Sequence, residues 1–237
     1  MNLIEDLVAA YRILAEYGVI DAYGHVSVRS DRDPKRYFLS RSLAPEMVMP
    51  EDIMEYDLDS NPINPRGQES VRERFIHGEI YKARANVNAV VHNHSPSVVP
   101  FSVTTVAMRP LFHMAAFVGE GVPNFEIRDS EKGTDLLVKT PYLGQALAKT
   151  LGSCPAALMR GHGSVTVGES LPRAVGRSIY LEMSARMQLQ AITIAGPGGK
   201  IAYLDEGEVQ ASVPAQDYKR AWPLWRAKAL ARLKPQA

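Results

Sequence analysis

The stretch Ala89-Val90-Val91-His92-Asn93-His94 constrains this chain more than any other. An apolar run closed by Ser95-Pro96 reads as a buried strand that delivers two histidines at its end. Side chains two apart on a strand point to the same face, so His92 and His94 aim at one point. Neutral imidazoles converging in this way suit a borderline-soft divalent metal, and catalytic sites usually combine three protein ligands with an open position. A third nitrogen and an acid then have to come from elsewhere in the chain.

Composition narrows the partners. A net charge of +1 supplies no field for nucleic acid or anionic lipid, so neither is expected. The 237 residues, 46% hydrophobic and 22% charged, show no composition shift and read as one domain over 1–237, with a tail from about 208. One cysteine, Cys154, excludes an intrachain disulfide, and no run approaches the length of a membrane span. With no basic-then-apolar leader at the start, the expectation is a cytoplasmic protein.

Leu3, Leu7, Tyr11 and Leu14 follow the helical period up to Gly18, where a left-handed stop belongs. His25-Val26-Ser27-Val28 and Tyr37-Phe38-Leu39-Ser40 flank a charged turn as a hairpin. Thr140-Pro141 opens a helix that Gly152 closes, and a longer one starts near Ser170 and stops at Gly196. Its stripe Tyr180, Met183, Met187 and Ile194 is expected in the core. Trp222 and Trp225 either cap the domain or cover a neighbouring subunit. No repeat and no phosphate-cradling glycine loop is present.

Two segments offer the missing ligands. The first is a helix expected from Gly67 to Arg84, in which Ile76 and Ile80 lie one and two turns beyond Glu73 and place that carboxylate on the inward side. A buried carboxylate is rare unless paired, hydrogen-bonded or bound to metal; a surface glutamate, or a salt bridge to Arg74 or Arg84, is the plainer alternative. The second is Arg160-Gly161-His162-Gly163, which follows the strand-like Ala156-Ala157-Leu158-Met159. Glycines on both sides of His162 allow a sharp turn that makes it the natural third nitrogen ligand. His77 reads as structural or exposed, and His113 as a core histidine. A serine-hydrolase reading is weak because Gly161-His162-Gly163-Ser164-Val165 lacks the glycine that would follow a nucleophile-elbow serine.

Taken together, Gly24-His25-Val26-Ser27, the Glu73 helix, Ala89 to His94, Lys132-Gly133-Thr134 and Arg160 to Gly163 resemble the class II aldolase/adducin family over about Leu3 to Gly207. The resemblance implies a three-layer α/β/α fold with a largely antiparallel central sheet, and a homotetramer with sites at subunit interfaces. It also implies one divalent metal per subunit, Zn2+ or Mn2+, on His92, His94 and His162. Glu73 matches the family's acidic residue, which binds the metal in the resting enzyme and acts as acid or base.

The departures from the family's sugar-phosphate aldolases bear on substrate. Where those carry Gly-Asn-x-Ser, a Thr-Pro-Ser-Gly-like segment and a Ser-Ser pair, this chain has Gly24-His25-Val26-Ser27, Ser40-Arg41-Ser42-Leu43-Ala44-Pro45 and Val71-Arg72-Glu73. Ser27 and Ser42 keep hydroxyls at the expected substrate site, while Arg41 and Arg72 add guanidinium forks suited to carboxylates. His113 falls where the aldolases place a proton-transferring tyrosine from a neighbouring subunit. The pattern resembles the branch that decarboxylates hydroxylated aromatic or pyridine carboxylates such as a dihydroxyphthalate, with Glu73, His25 or His113 as proton donor. The alternatives are a sugar-phosphate aldolase, epimerase or dehydratase, and a non-catalytic module like the adducin head.

Overall fold

A computed structural model describes residues 2–231; Met1 and residues 232–237 lie outside the described residues. Helix α1 (Leu3–Glu16) starts where the Asn2 side chain accepts from the Ile4 amide. It ends just before Gly18, whose φ of 66° is the left-handed stop read from the sequence. The chain continues through β1 (His25–Arg29), β2 (Arg36–Ser40), β3 (Ile53–Asp57), β4 (Pro62–Ile63), α2 (Arg74–Ala83) and β5 (Ala89–Asn93). Then come α3 (Val99–Ser102), a 3-10 segment over His113–Glu120, β6 (Asn124–Phe125), α4 (Pro141–Leu151), β7 (Ala156–Met159) and β8 (Gly163–Gly168). Helices α5 (Leu171–Ala195), α6 (Glu206–Ser212) and α7 (Trp222–Ala231) finish it.

The strands form one sheet in the order β4-β3-β2-β1-β5-β8-β7-β6, antiparallel at every pair except β6 with β7. Strand β5 therefore lies between β1 and β8, with His92 opposite both His25 and Val165. That position explains its apolar run, because both faces are covered. Val91 packs into the core shared with α1, α5 and α7, and Val90 into the core shared with α2 and α4. These are the three layers that the resemblance implied. His25 and Ser27 alternate with Val26 and Val28, so the polar pair faces the α2 layer and the valines face α1. Fully buried side chains such as Leu7 and Leu14 each contribute about 2–3 kcal/mol.

Three local expectations change. The helix foreseen from Gly67 begins at Arg74, since Asn64, Arg66 and Gly67 all have positive φ. Residues 69 and 70 are also tied to the neighbouring segment: the Ser42 amide donates to the Glu69 carbonyl, and Arg41 bridges Ser70. Glu73 thus stands at the helix N-cap rather than within the helix. The methionine stripe of α5 is half-buried and Ile194 is 86% exposed. The small residues face the sheet instead, because β8 runs so tightly into α5 that a Cβ at Gly168 would press on the Ala174 backbone. Trp222 and Trp225 are buried within their own chain, and Trp225 meets Tyr17 at the end of α1 edge-on at 5.7 Å.

Candidate metal centre

Four side chains meet at the end of the central strands. His92 comes from the last turn of β5, His94 from just beyond it, His162 from the turn between β7 and β8, and Glu73 from the head of α2. One ligand atom from each lies within 4.8 Å of the others. The Nε2 of His94 is 3.2 Å from that of His92 and 3.1 Å from that of His162. Glu73 Oε2 is 3.6 Å from the Nε2 of both His92 and His162.

The protonation pattern shows whether a metal fits. His92 Nδ1–H donates to the Ser164 carbonyl at 3.1 Å and His162 Nδ1–H to the Leu136 carbonyl at 3.0 Å. Those bonds leave the two Nε2 atoms as lone pairs facing His94, which has one Nε2 position and hence at most one proton to share between them. At least one close contact is then lone pair against lone pair. A cation at the centre removes that repulsion. Nitrogens about 2.0–2.1 Å from zinc stand about 3.3–3.4 Å apart in a tetrahedron, close to the spacing seen. Three imidazoles and a carboxylate could thus hold a divalent ion.

Backbone geometry fixes this cluster. Gly161 has φ 64°, which turns the chain at His162. Gly163 sits so close to β5 that a Cβ there would collide with the Asn93 carbonyl between the two strand histidines. Gly163→Ala is expected to destabilise the protein by about 2–3 kcal/mol through overpacking, lowering Tm by roughly 4–10 °C in thermal melts. On the other side, Leu136 adopts φ 69°, strained for a leucine, and its segment clamps two members at once. The Leu136 carbonyl holds His162, while the Val138 amide donates to Glu73 Oε1 at 2.9 Å.

Burial sets the charges. Glu73 is pushed up to about 7 by desolvation, against the bond from Val138 that lowers it. Desolvation drives His92 and His25 well below the ordinary histidine value, lowers His94, and holds His162 at about 4 and His77 at about 3. In the metal-free protein these groups pull stability in opposite directions. An unfolded chain binds protons on its histidines below pH about 6.5 that the folded chain rejects, so stability is lost as pH falls through that value. The Glu73 contribution is complete below 4.5 and is lost as pH rises through about 7. Each group is worth about 1.4 kcal/mol per pH unit within its window, and several histidines outweigh one carboxyl. Urea midpoints of chelator-treated protein are therefore expected to fall steadily from pH 6.5 to 4.

Beside the cluster opens a cavity of about 300 Å³ lined by Ala22, Tyr23, Gly24, His25, Ser42, Leu43, Ala44 and Val71. His25 and Ser42 thus line this cavity, and the His25 ring lies 4.9 Å from that of His92. Ser27 does not: it is 0% exposed behind His25 and hydrogen-bonded to His77 and Tyr81. Arg41 donates to Asp52 at 2.7 Å, so its charge is already matched, whereas Arg72 is exposed and makes no ion pair among the described residues. His113 is exposed at the start of the 3-10 segment, outside the cluster, its carbonyl taken by Gln216. Of the two readings of His77, structural or exposed, the structural one holds, since it is 0% exposed. Sequence reasoning missed the roles of Leu136 and Val138, and Tyr23, whose ring stands 6.4 Å from His94. His77 and Tyr81 did carry a signal, being four apart on the helix face beside Ile76 and Ile80.

Fold and cluster define a class: an α/β/α protein whose largely antiparallel sheet ends in a Glu/His cluster that could hold a divalent metal. A sequence model described as Class II Aldolase and Adducin N-terminal domain matches residues 5–189, and the chain belongs to that family. It is 36% identical to the decarboxylase tropJ of Talaromyces stipitatus, covering 94% of this chain and 92% of that protein. It is 28% identical to a 3,4-dihydroxyphthalate decarboxylase of Arthrobacter keyseri, over 81% and 79% of the two chains. Among solved structures, an L-fuculose 1-phosphate aldolase from Glaciozyma antarctica superposes with a TM-score of 0.77 at 24% identity, covering 95% and 87%. No helix among the described residues is long and apolar enough to cross a membrane.

Proposed function

We propose that the chain is a metal-dependent, non-oxidative decarboxylase of a hydroxylated aromatic or pyridine carboxylate or dicarboxylate, a carboxy-lyase. The observation that carries this reading is the His92, His94, His162 and Glu73 cluster beside a small cavity, in a chain similar to a decarboxylase and to a 3,4-dihydroxyphthalate decarboxylase. A divalent ion held there, zinc by ligand type or manganese with added oxygens, supplies Lewis acidity to the phenolic and carboxylate oxygens of the substrate.

The chain's own residues do the rest. Ala22, Leu43, Ala44 and Val71 form walls that accept a flat ring and exclude water. Arg72, exposed and without an ion pair among the described residues, follows Val71 of the cavity wall and is the candidate to hold the substrate's carboxylate. When carbon dioxide leaves, its bonding electrons stay on the ring carbon, which must take up one proton. Glu73, whose Oε2 lies 3.6 Å from the Nε2 of both His92 and His162, is the first candidate donor of that proton, with His25 as the second. His113 serves in this reading only from a neighbouring copy, in a homotetramer with sites at its interfaces. A cytoplasmic location, where Cys154 stays reduced, completes the reading.

The test is carbon dioxide release from a panel of ortho-hydroxylated aromatic and pyridine dicarboxylates, with and without a chelator. Chelator-sensitive release from one of them is expected. Absence of release, together with cleavage of a ketose phosphate, would establish an aldolase instead. With a substrate in hand, Arg72→Ser is expected to raise KM about ten- to a hundredfold through loss of a charged hydrogen bond, with little change in metal content.

A further inference from the structure

Behind the cavity wall, His25 is joined in a row to three buried polar groups, His77, Ser27 and Tyr81, for which the proposed reaction has no use. Tyr81 Oη is 2.7 Å from Ser27 Oγ, Ser27 Oγ is 2.6 Å from His77 Nδ1, and His77 Nε2 is 2.6 Å from His25 Nδ1. Ser27 and His77 are 0% exposed and Tyr81 is 1% exposed; of the four, His25 is the one that lines the cavity. Two periodicities make the row. His25 and Ser27 are two apart on one face of β1, and His77 and Tyr81 are one turn apart on α2, so the two pairs interleave.

The row has a direction. His77 is neutral, since burial holds it at about 3, and a neutral ring carries one N–H. If the bonds ran inward from His25, Ser27 would donate to the Tyr81 oxygen, and the phenolic proton would be stranded. Ser27 Oγ is the acceptor that the Tyr81 hydroxyl reaches among the described residues, and the Val90 backbone bonds to the same phenolic oxygen. Run outward, every buried proton is used. Tyr81 donates to Ser27, Ser27 to His77 Nδ1, and His77 Nε2–H to His25 Nδ1. A buried donor without an acceptor is the more expensive arrangement, so the outward direction is the stable one.

We propose that Tyr81, Ser27 and His77 are positioning residues that hold His25 as its Nε2–H tautomer, presenting the cavity with a fixed N–H donor instead of a lone pair. That donor suits an anionic carboxylate or phenolate oxygen. The proposed function enters only in naming what the N–H meets; the tautomer itself follows from the row.

The experiment is nitrogen-15 NMR of zinc-loaded protein labelled at histidine, with His25 and His77 assigned from His25→Gln and His77→Gln. His25 is expected to carry its proton on Nε2 in the parent protein. Ser27→Ala, which removes the hydroxyl that obliges His77 to donate to His25, is expected to give a mixture of His25 tautomers. His77→Phe, which keeps a ring and removes both nitrogens, is expected to do the same if Ser27→Ala does not fold. In either variant kcat/KM falls to about half or less, in step with the remaining Nε2–H fraction, while metal content stays unchanged. An Nδ1–H form of His25 in the parent protein overturns the inference, as does an unchanged tautomer in a folded variant. The NMR readout needs no substrate, so a failed decarboxylase assay leaves it intact.

Discussion

His94→Ala is expected to leave a folded protein without metal and without carbon dioxide release. The residue lies beyond the end of β5 and takes no part in its ladder, so removing the ring spares the sheet. Its Nε2 is nonetheless the atom that stands within 3.2 Å of both other imidazoles. Losing it opens the ligand set and removes Lewis-acid stabilisation worth several kcal/mol, so turnover should fall at least about a thousandfold. Elemental analysis should show metal dropping from about one ion per chain to background. The variant should then melt at the temperature of chelator-treated parent protein, which separates loss of metal from loss of fold. Retained metal and turnover would mean that the four-residue cluster is not the reaction centre.

Glu73→Gln removes charge while keeping shape. The glutamine carbonyl can still accept from the Val138 amide, which now holds Glu73 Oε1 at 2.9 Å, so the Leu136 to Val138 clamp survives. What disappears is the anionic ligand and the exchangeable proton. Metal affinity is expected to weaken about ten- to a hundredfold, and kcat at saturating metal to fall by about 10²–10⁴ if Glu73 is the proton donor. The substitution also acts without metal. Parent protein loses the Glu73 contribution as pH rises from 4.5 through about 7, and the glutamine variant should not, so the two urea-midpoint curves diverge in that interval alone. A kcat that stays at the parent value in fully loaded protein would transfer the proton to His25 or His113.

Much of the fold was legible because short-range chemistry and long-range packing agree. The Thr140 cap with Pro141 at the first helical position, the Ser170 cap and the stops at Gly18, Gly152 and Gly196 all stand where the sequence puts them. His92, His94 and His162 converge as two strand-end motifs suggested. The start of α2 was misplaced because the pairing of residues 69 and 70 with the 41–42 segment is a long-range contact that leaves no periodic mark. Leu136 was invisible for a similar reason: nothing in Asp135-Leu136-Leu137 announces a left-handed leucine, which is held there by Glu73 and His162 from distant parts of the chain. Arg41 and Arg72 look alike as letters. Asp52, paired with one and not the other, distinguishes them.

The placement of β5 between β1 and β8 has a consequence for how the protein is made. Its partners lie far away along the chain, His25 on one side and Val165 on the other, so the central pairings have large loop closures to overcome and form late. In an unfolded chain only His92 and His94 remain neighbours; His162 arrives when β8 is seated beside β5, and Glu73 when α2 packs against the sheet. Metal retention is then expected of the finished sheet alone, and a divalent ion that favours the folded state would stabilise it by mass action. Adding metal to refolding protein should thus raise the yield at the final step while leaving early collapse unchanged, making the bound ion a reporter of completed folding.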